Sequence, residues 1–117
     1  NEVAPRPHNS GHQSIEANVT SQFQQFLRSI INMPLGDTSV RTPSAMINIL
    51  GAEEHTGPAK YQHLDQLLAE SGVFVHLYGK KITKPSRKMG HFTIIDKDIK
   101  KLLPKVERLK NVLKVIS

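Results

Sequence analysis

Residues 73–95 read VFVHLYGKKITKPSRKMGHFTII, and this stretch decides the expected fold. Residues 73–78 are mostly β-branched, aromatic or apolar and lie between two glycines, which is typical of a strand. Residues 87–95 carry a second apolar run, and residues 79–86 contain the glycine, proline and serine of a turn. The pattern therefore predicts two strands that pair antiparallel across a short connection.

A further strand and two helices are predicted on either side of this pair. Residues 45–50 (AMINIL) are an apolar run that ends at a glycine, which indicates a buried strand. Apolar residues at helical spacing predict a helix over residues 61–70. The same spacing predicts a basic amphipathic helix from residue 98 onward, which includes Leu113 and which Pro104 should kink or shorten.

A third helix is predicted from residue 21, where Ser21 and Gln24 have the spacing of a capping box. Its apolar residues recur at helical spacing and form one stripe: Phe23, Phe26, Leu27, Ile30 and Ile31. The run Met33-Pro34-Leu35-Gly36 should end this helix. The stripe belongs to the core or, alternatively, to a protein interface. Together these elements predict a small α+β domain with short antiparallel strands and about three helices.

Composition limits the class of protein. The 117 residues suit one domain, and 38% hydrophobic residues are sufficient for a core. The absence of cysteine excludes a disulfide framework, a thiolate metal site and a cysteine nucleophile. No apolar run approaches the ~18 residues of a membrane helix, and no secretory leader follows Asn1, so we expect a soluble, cytoplasmic protein.

Charge is distributed unevenly along the chain. Residues 1–79 carry four basic and seven acidic side chains, whereas residues 80–117 carry twelve basic and three acidic ones. A basic segment on a slightly acidic body indicates an anionic partner, either a phosphate group, a nucleic acid or a membrane surface. For residues 97–114 a solvated helix face is the simpler explanation. Residues 80–88 differ, because five cations in a proline-containing turn do not form a helix face.

The N-terminal residues form the first candidate site. Residues 1–14 are rich in Pro, His, Asn and Ser and predict an extended loop that carries a carboxylate, a guanidinium and two imidazoles. A carboxylate suits Mg²⁺, Arg6 matches the planar oxygens of bicarbonate or phosphate, and His8 titrates near neutral pH. A polar connecting loop is the alternative. A zinc pair of His8 and His12 is disfavoured, because this segment does not form the helix that such a pair needs.

The turn over residues 80–88 forms the second candidate site. A cationic turn between two strands can hold a small phosphate or contact a nucleic-acid backbone. Nucleic-acid binding also requires exposed aromatic residues, and the sequence has 5% aromatic residues and no tryptophan. A small basic nucleic-acid-binding module therefore remains the alternative function. His91 and His76 each lie among apolar strand residues and are interpreted as hydrogen-bonded core histidines.

Several of these motifs occur together, in the same order, in a known family. The chain contains NEVAPRPHNSGH at residues 1–12, TSQF at 20–23, PLG at 34–36, AMINILG at 45–51, HLYGK at 76–80 and RKMGH at 87–91. This set resembles the C-terminal part of 5-(carboxyamino)imidazole ribonucleotide synthase, the PurK-type family of the ATP-grasp superfamily. The resemblance covers residues 1–96, and its first motif is the most specific one.

The resemblance implies a ligase of purine biosynthesis. Such an enzyme uses ATP and Mg²⁺ to activate bicarbonate as carboxyphosphate and carboxylates the exocyclic amine of 5-aminoimidazole ribonucleotide. The match implies ATP binding by Asn1 and Glu2, with Glu2 as metal ligand, and it places Arg6 and His8 at the bicarbonate as catalytic residues. It assigns the substrate phosphate to three cations of the turn: Lys80, Arg87 and Lys88. The two candidate sites would then be two walls of one cleft.

The resemblance also implies how the chain is organised. Residues 1–14 correspond to the end of an ATP-grasp domain with its active-site loop, and residues 15–117 to the C-terminal domain. We expect the remainder of the synthase chain and a second copy, in a homodimer, as protein partners. Neither a nucleic acid nor a membrane is expected as a partner. Because most of the ATP-grasp domain lies outside this sequence, we expect the polypeptide alone to be inactive.

Overall fold

The computed structural model describes residues 3–117. Within that range the strands are β1 (Ser44–Leu50), β2 (Gly57–Pro58), β3 (Lys60–Gln62), β4 (Val73–Leu77), β5 (Ile82–Thr83), β6 (Lys88–Ile95) and β7 (Lys114–Ile116). The α-helices are α1 (Ser14–Ala17), α2 (Gln22–Ile30), α3 (Leu64–Leu68) and α4 (Ile99–Leu109), and a 3-10 helix covers Asn9–Gly11. Short antiparallel strands with helices around them confirm the predicted α+β class.

A three-stranded antiparallel sheet lies at the centre of the fold, in the order β1-β6-β4. The pairing of β4 with β6, in which His76 lies opposite His91, confirms the two strands predicted from residues 73–95. β6 is buried along most of its length because strands flank it on both edges. The strand predicted at residues 45–50 is β1, which pairs with β6 and has a register shift after Ile49.

All buried residues of the hydrophobic core lie in β1 or in elements that follow it in the chain. Its buried members are Ile49, Leu67, Met89, Phe92, Ile94, Leu102, Leu109 and Val115. Each such side chain contributes about 1.5–3 kcal/mol by leaving water. Both α3 and α4 supply core leucines, and β7 supplies Val115. The second half of the chain therefore carries the packing that holds the central sheet in place.

The segment before β1 lies outside this core. Its α2 helix begins at a capping box, as predicted, because Ser21 Oγ accepts from Gln24 N and Gln24 Oε1 accepts from Ser21 N. No residue of α2 is buried, and Phe23, Phe26 and Ile30 are 38%, 42% and 61% exposed in the described part of the chain. The predicted apolar stripe exists, but it does not belong to the core of this chain.

Three local predictions were wrong in detail. Residues 1–14 are not loop throughout, because Asn9–Gly11 forms a 3-10 helix. Residues 61–70 divide between the end of β3 and α3, since His63 has a φ of 62° and separates the two elements. Leu113 lies beyond α4, just before β7. Pro104 lies inside α4, which continues to Leu109.

The helices of residues 3–117 include none that is both long and apolar enough to cross a bilayer.

Candidate active site

Residues 79–88 connect β4 to β6; they contain β5 and end with the first residue of β6. This connection, which we call the cationic turn, brings the three predicted phosphate-binding cations together. Lys80 Nζ donates to the carbonyl oxygen of Lys88 at 2.6 Å, and Arg87 Nη1 donates to the carbonyl oxygen of Ile82 at 3.0 Å. Each cation uses one donor to close the turn. An ammonium has three N–H groups and a guanidinium five, so both retain donors for a phosphate.

The N-terminal loop, residues 3–12, carries the other described candidates. His8 Nδ1 lies 3.0 Å from Ser10 Oγ and accepts from Ser10 N at 3.3 Å, so its side chain begins the 3-10 helix. Arg6 is exposed, and its Nη1 donates to the carbonyl oxygen of Pro7 at 3.3 Å. Arg6 also lines a shallow depression together with Gln22 and Phe26. Both predicted catalytic side chains therefore lie on the surface of the loop.

Asn1 and Glu2, the predicted nucleotide and metal residues, lie outside the described residues. Within residues 3–117 no group of three or more His, Asp and Glu side chains is arranged to hold a metal ion.

Three imidazoles lie side by side where the N-terminal loop meets the central sheet, with His12 tilted by 37° against His91 and His76 stacked on it; we call His12, His91 and His76 the histidine ladder. The ring centroids of His12 and His91 are 4.8 Å apart, and those of His91 and His76 are 4.5 Å apart at an interplanar angle of 14°. Phe23 of α2 stacks on the outer side of His12 at 5.5 Å. The ladder joins the loop, β6 and β4 through aromatic contacts.

Hydrogen bonds hold the ladder at each step. His76 Nε2 donates to Glu16 Oε1 at 2.7 Å, and the Tyr78 hydroxyl lies 2.9 Å from His91 Nδ1. His91 is 3% exposed, which confirms the predicted hydrogen-bonded core histidine. His76 is also hydrogen-bonded, but 34% of its side chain remains exposed, so it lies at the margin of the core.

Two imidazoles of the ladder, His91 and His12, take up a proton less readily than a free imidazole. Burial, assisted by the charges of His76 and His12, lowers the pKa of His91 to about 4. Burial also lowers the pKa of His12, and the second cause is the positive charge of Lys88. Lys88 belongs to the cationic turn and His12 to the N-terminal loop, so the two candidate sites lie within electrostatic reach of each other.

A separate cleft of about 850 Å³ lies between β1, β7 and the end of α4. Its polar lining includes Asn48, His55 and Lys110. Ser86 of the cationic turn also lines it, whereas the predicted site residues and the histidine ladder do not. The predicted site residues that the structure describes therefore lie in the N-terminal loop and the cationic turn and do not line this cleft.

Sequence reasoning missed the residues that join the two candidate sites. His12 was considered only as one of two ligands of a disfavoured zinc site. No role was assigned to Gln22, Glu16 or Tyr78. Their spacing along the chain carries no signal, because they come from four different segments. Only the occurrence of His12 in the first motif and of His91 in the last one could have indicated a contact.

Two family models match this chain. Residues 44–105 match the phosphoribosylaminoimidazole carboxylase C-terminal domain, and residues 1–23 match the ATP-grasp domain. These matches confirm the resemblance inferred from the motifs. A nucleic-acid-binding module is not favoured.

Relatives and solved structures agree with the family models. N5-carboxyaminoimidazole ribonucleotide synthase from Synechococcus elongatus is 50% identical over 96 residues, which are 80% of this chain and 24% of that protein. The crystal structure of N5-carboxyaminoimidazole ribonucleotide synthetase from Thermotoga maritima matches 100% of this chain and 33% of its own, with a TM-score of 0.95 and 53% identity. An Aspergillus clavatus N5-carboxyaminoimidazole synthase, solved with ADP and 5-aminoimidazole ribonucleotide, matches 96% of this chain and 30% of its own, with a TM-score of 0.82 and 36% identity. This chain spans about a quarter to a third of the length of these proteins.

Proposed function

Because the chain belongs to the phosphoribosylaminoimidazole carboxylase C-terminal domain family, we propose that it forms the C-terminal region of an ATP-dependent ligase. The ligase carboxylates 5-aminoimidazole ribonucleotide with bicarbonate. The observation that carries this proposal is the 4.8 Å contact between His12 and His91, which brings the NEVAPRPHNSGH motif against the RKMGH motif. The two motifs that resemble the family's substrate-binding segments thus meet at one place.

The proposed reaction has two steps. A bicarbonate oxygen attacks the γ-phosphorus of ATP, ADP leaves, and carboxyphosphate forms. The exocyclic amine of the ribonucleotide then attacks the carboxyl carbon, phosphate leaves, and the amine loses a proton. Every intermediate of this sequence is anionic, so fixed cations and N–H donors are the groups that the reaction needs from the protein.

The cationic turn is proposed to hold the phosphate of the ribonucleotide through Lys80, Arg87 and Lys88. Arg87 provides a planar fork that matches two phosphate oxygens, whereas the two lysines act as point charges. The hydrogen bonds from Lys80 to the Lys88 carbonyl and from Arg87 to the Ile82 carbonyl support this role, because they hold the cations in place before substrate arrives.

The N-terminal loop is proposed to hold the bicarbonate and the nucleotide. Arg6 would stabilise the charge that develops on carboxyphosphate, and His8 would exchange a proton with the reacting groups. Asn1 and Glu2 are proposed at the ATP, with Glu2 as a ligand of Mg²⁺. The metal, when bound, would neutralise the charge of the ATP phosphates.

The rest of the proposal concerns assembly. We propose that residues 1–14 end an ATP-grasp domain, that residues 15–117 form the C-terminal domain, and that this polypeptide alone is inactive. The remainder of the synthase chain and a second copy are the proposed protein partners, in the cytoplasm. The exposed stripe of α2, which includes Phe26 and Ile30, supports a protein contact on this side of the molecule.

Arg87→Ala tests the substrate site in the complete gene product that carries this sequence. The measurement is ADP release that depends on the ribonucleotide and on bicarbonate, together with carboxylated product. We expect the KM for the ribonucleotide to rise about tenfold or more, because one charge-assisted hydrogen bond to phosphate is lost. The KM for ATP should change little.

Lys101→Ala is the matched control, because Lys101 is an exposed cation on α4 in the same basic third of the chain. It should leave every kinetic constant near its parental value. An unchanged ribonucleotide KM in Arg87→Ala, or an equal rise in Lys101→Ala, would contradict the assignment of the cationic turn.

A further inference from the structure

Gln22 binds the N-terminal loop and the histidine ladder at once. Its Oε1 accepts from His8 N at 2.8 Å, and its Nε2 donates to the carbonyl oxygen of His8 at 2.8 Å. The same Nε2 lies 2.8 Å from His12 Nδ1. The side-chain amide of one helical residue therefore makes contacts to both the backbone of His8 and the ring of His12.

These contacts decide where the proton of His12 lies. Gln22 Oε1 faces an N–H donor, so the orientation of the amide is fixed and its Nε2 faces His12 as a donor. His12 Nδ1 must then accept, which means that it carries no proton and that the neutral ring is protonated on Nε2. A second proton on His12 would place two donors against each other and break this contact.

Because Gly11 has no side chain, the Gln22 amide can approach the N-terminal loop closely. A Cβ atom at Gly11 would lie 2.6 Å from Gln22 Oε1 and 2.8 Å from its Cδ, which is closer than atoms pack. Ser14 Oγ accepts from Gln22 N at 2.9 Å and donates to the Gly11 carbonyl at 2.5 Å, so the start of α2 is tied to the same loop. The amide is therefore held by its own helix on one side and by the loop on the other.

The other end of the ladder meets the cationic turn. The Tyr78 hydroxyl contacts His91 Nδ1, and Lys80 Nζ lies 5.8 Å from the centroid of the Tyr78 ring. Lys80 in turn donates to the Lys88 carbonyl. A continuous path of contacts thus runs from the His8 backbone through Gln22, the ladder and Tyr78 to the cations.

We propose that Gln22, His12 and His91 are positioning residues for carboxylation, which set the distance between the N-terminal loop and the cationic turn. This inference rests on the proposed function. The two walls belong to segments about 70 residues apart in the sequence, so their separation is fixed by tertiary contacts. A reaction between two bound substrates depends steeply on such a separation, since an error of about 1 Å can cost on the order of 10²-fold in rate.

The first test is the protonation state of His12 in the complete gene product, read from long-range ¹H–¹⁵N spectra of labelled histidine. We expect His12 to be protonated on Nε2 alone at neutral pH. In Gln22→Glu the carboxylate can only accept, so Nδ1 should gain a proton. A parental His12 that is protonated on Nδ1 would overturn the inference.

The second test is kinetic. Gln22→Leu and His12→Phe remove the donor and the acceptor of one hydrogen bond, and we expect each to lower kcat on the order of tenfold while the KM values for bicarbonate and the ribonucleotide change less, because both substrates still bind but no longer lie at the reacting distance. His12→Asn keeps an acceptor close to the Nδ1 position and should recover part of the loss. Gln66→Leu is the control, because it removes a glutamine contact to another imidazole, that of His63, on the surface.

The outcomes separate this inference from the proposed function. Carboxylation with an unchanged kcat in Gln22→Leu, or an equal loss of kcat in Gln66→Leu, would overturn the inference alone. Absence of carboxylation in the parental protein would overturn the proposed function and the inference together. A lowered kcat in Gln22→Leu with partial recovery in His12→Asn would support both.

Discussion

Gly90 permits the close approach of strands on which the ladder depends. It lies opposite Leu77 in the pairing of β4 with β6, and a Cβ atom at this position would collide with the carbonyl oxygen of His76. Since His91 follows Gly90 directly, the absence of a side chain at one residue brings the next one within stacking distance of its neighbour. The glycine of the RKMGH motif therefore has a physical role in placing the histidine.

His91 makes stability depend on pH. Burial lowers its pKa to about 4, whereas an unfolded histidine titrates at about 6.5. As pH falls through this interval, the unfolded state binds a proton that the folded state excludes. We expect the free energy of unfolding to decrease by up to about 1.4 kcal/mol per pH unit from this group, measured by urea denaturation between about pH 7 and pH 5.

His91→Phe keeps an aromatic ring in place of the imidazole and provides the comparison. Its free energy of unfolding should vary less with pH over the same interval, because phenylalanine binds no proton. If the free energy of unfolding had the same pH dependence in the parent and in His91→Phe, proton binding by His91 would not be its cause.

At the scale of elements, α2 is held by polar side chains of its N-terminal half and by the stacking of Phe23 on His12. Ser21 begins the helix with a capping box, and Gln22 binds the N-terminal loop. Gln25 makes two hydrogen bonds to the backbone of Gly36, at 2.6 and 2.9 Å. The rest of the apolar stripe is more exposed, since Leu27 and Ile30 are 59% and 61% exposed. Polar contacts and one aromatic contact therefore hold the N-terminal half of α2.

Ser21→Ala should loosen α2 without unfolding the core. Loss of an N-cap costs about 1 kcal/mol, so we expect hydrogen exchange of the α2 amides to accelerate about fivefold. Amides of β6 should keep their protection, because the core begins after α2. Ser29→Ala, which removes a hydroxyl bonded to the Phe26 carbonyl on the same helix, is the control. Equal acceleration in both variants would contradict the role of the cap.

At the scale of the whole molecule, packing and charge are concentrated in the second half of the chain. The radius of gyration is 15.8 Å, larger than the roughly 13 Å typical of a domain of this length. Among residues 3–43, Ala17 is the only buried apolar residue, so the segment before β1 adds to the size of the molecule and little to its core. Residues 80–117 carry twelve of the sixteen basic side chains. The exposed apolar stripe thus lies in the segment before β1, and the core and most of the basic side chains lie after it.

Salt dependence distinguishes a nucleotide site from a nucleic-acid surface. A ribonucleotide held by the three cations of the turn should lose less than about tenfold in affinity between about 50 and 200 mM salt. A polyanion that contacts several phosphates would lose about 10³-fold or more over the same range. Equilibrium binding of the ribonucleotide at several salt concentrations is the measurement. A loss of the larger size would contradict a single small-phosphate site.

The sequence by itself determined the elements with a local pattern. Apolar runs predicted β1, β4 and β6, and apolar residues at helical spacing predicted α2, because each of these patterns lies within about ten residues of the chain. The sequence did not predict that β3 and β7 pair. Lys60 and Ile116 lie far apart in the chain, and each strand has only three residues. A strand this short has no period to detect, and it becomes a strand only when its partner is beside it.

Some features of the candidate site were likewise visible in the sequence, and others appeared only in the tertiary structure. Its motifs, and through them the proposed roles of Arg6, His8 and the cations of the turn, were visible in the sequence. The histidine ladder was not, because His12, His76 and His91 belong to a loop and two strands and carry no common spacing. Stacking depends on distance in space, and folding alone brings the three rings within 5 Å of their neighbours. The tertiary structure therefore decided how the two walls of the site are joined.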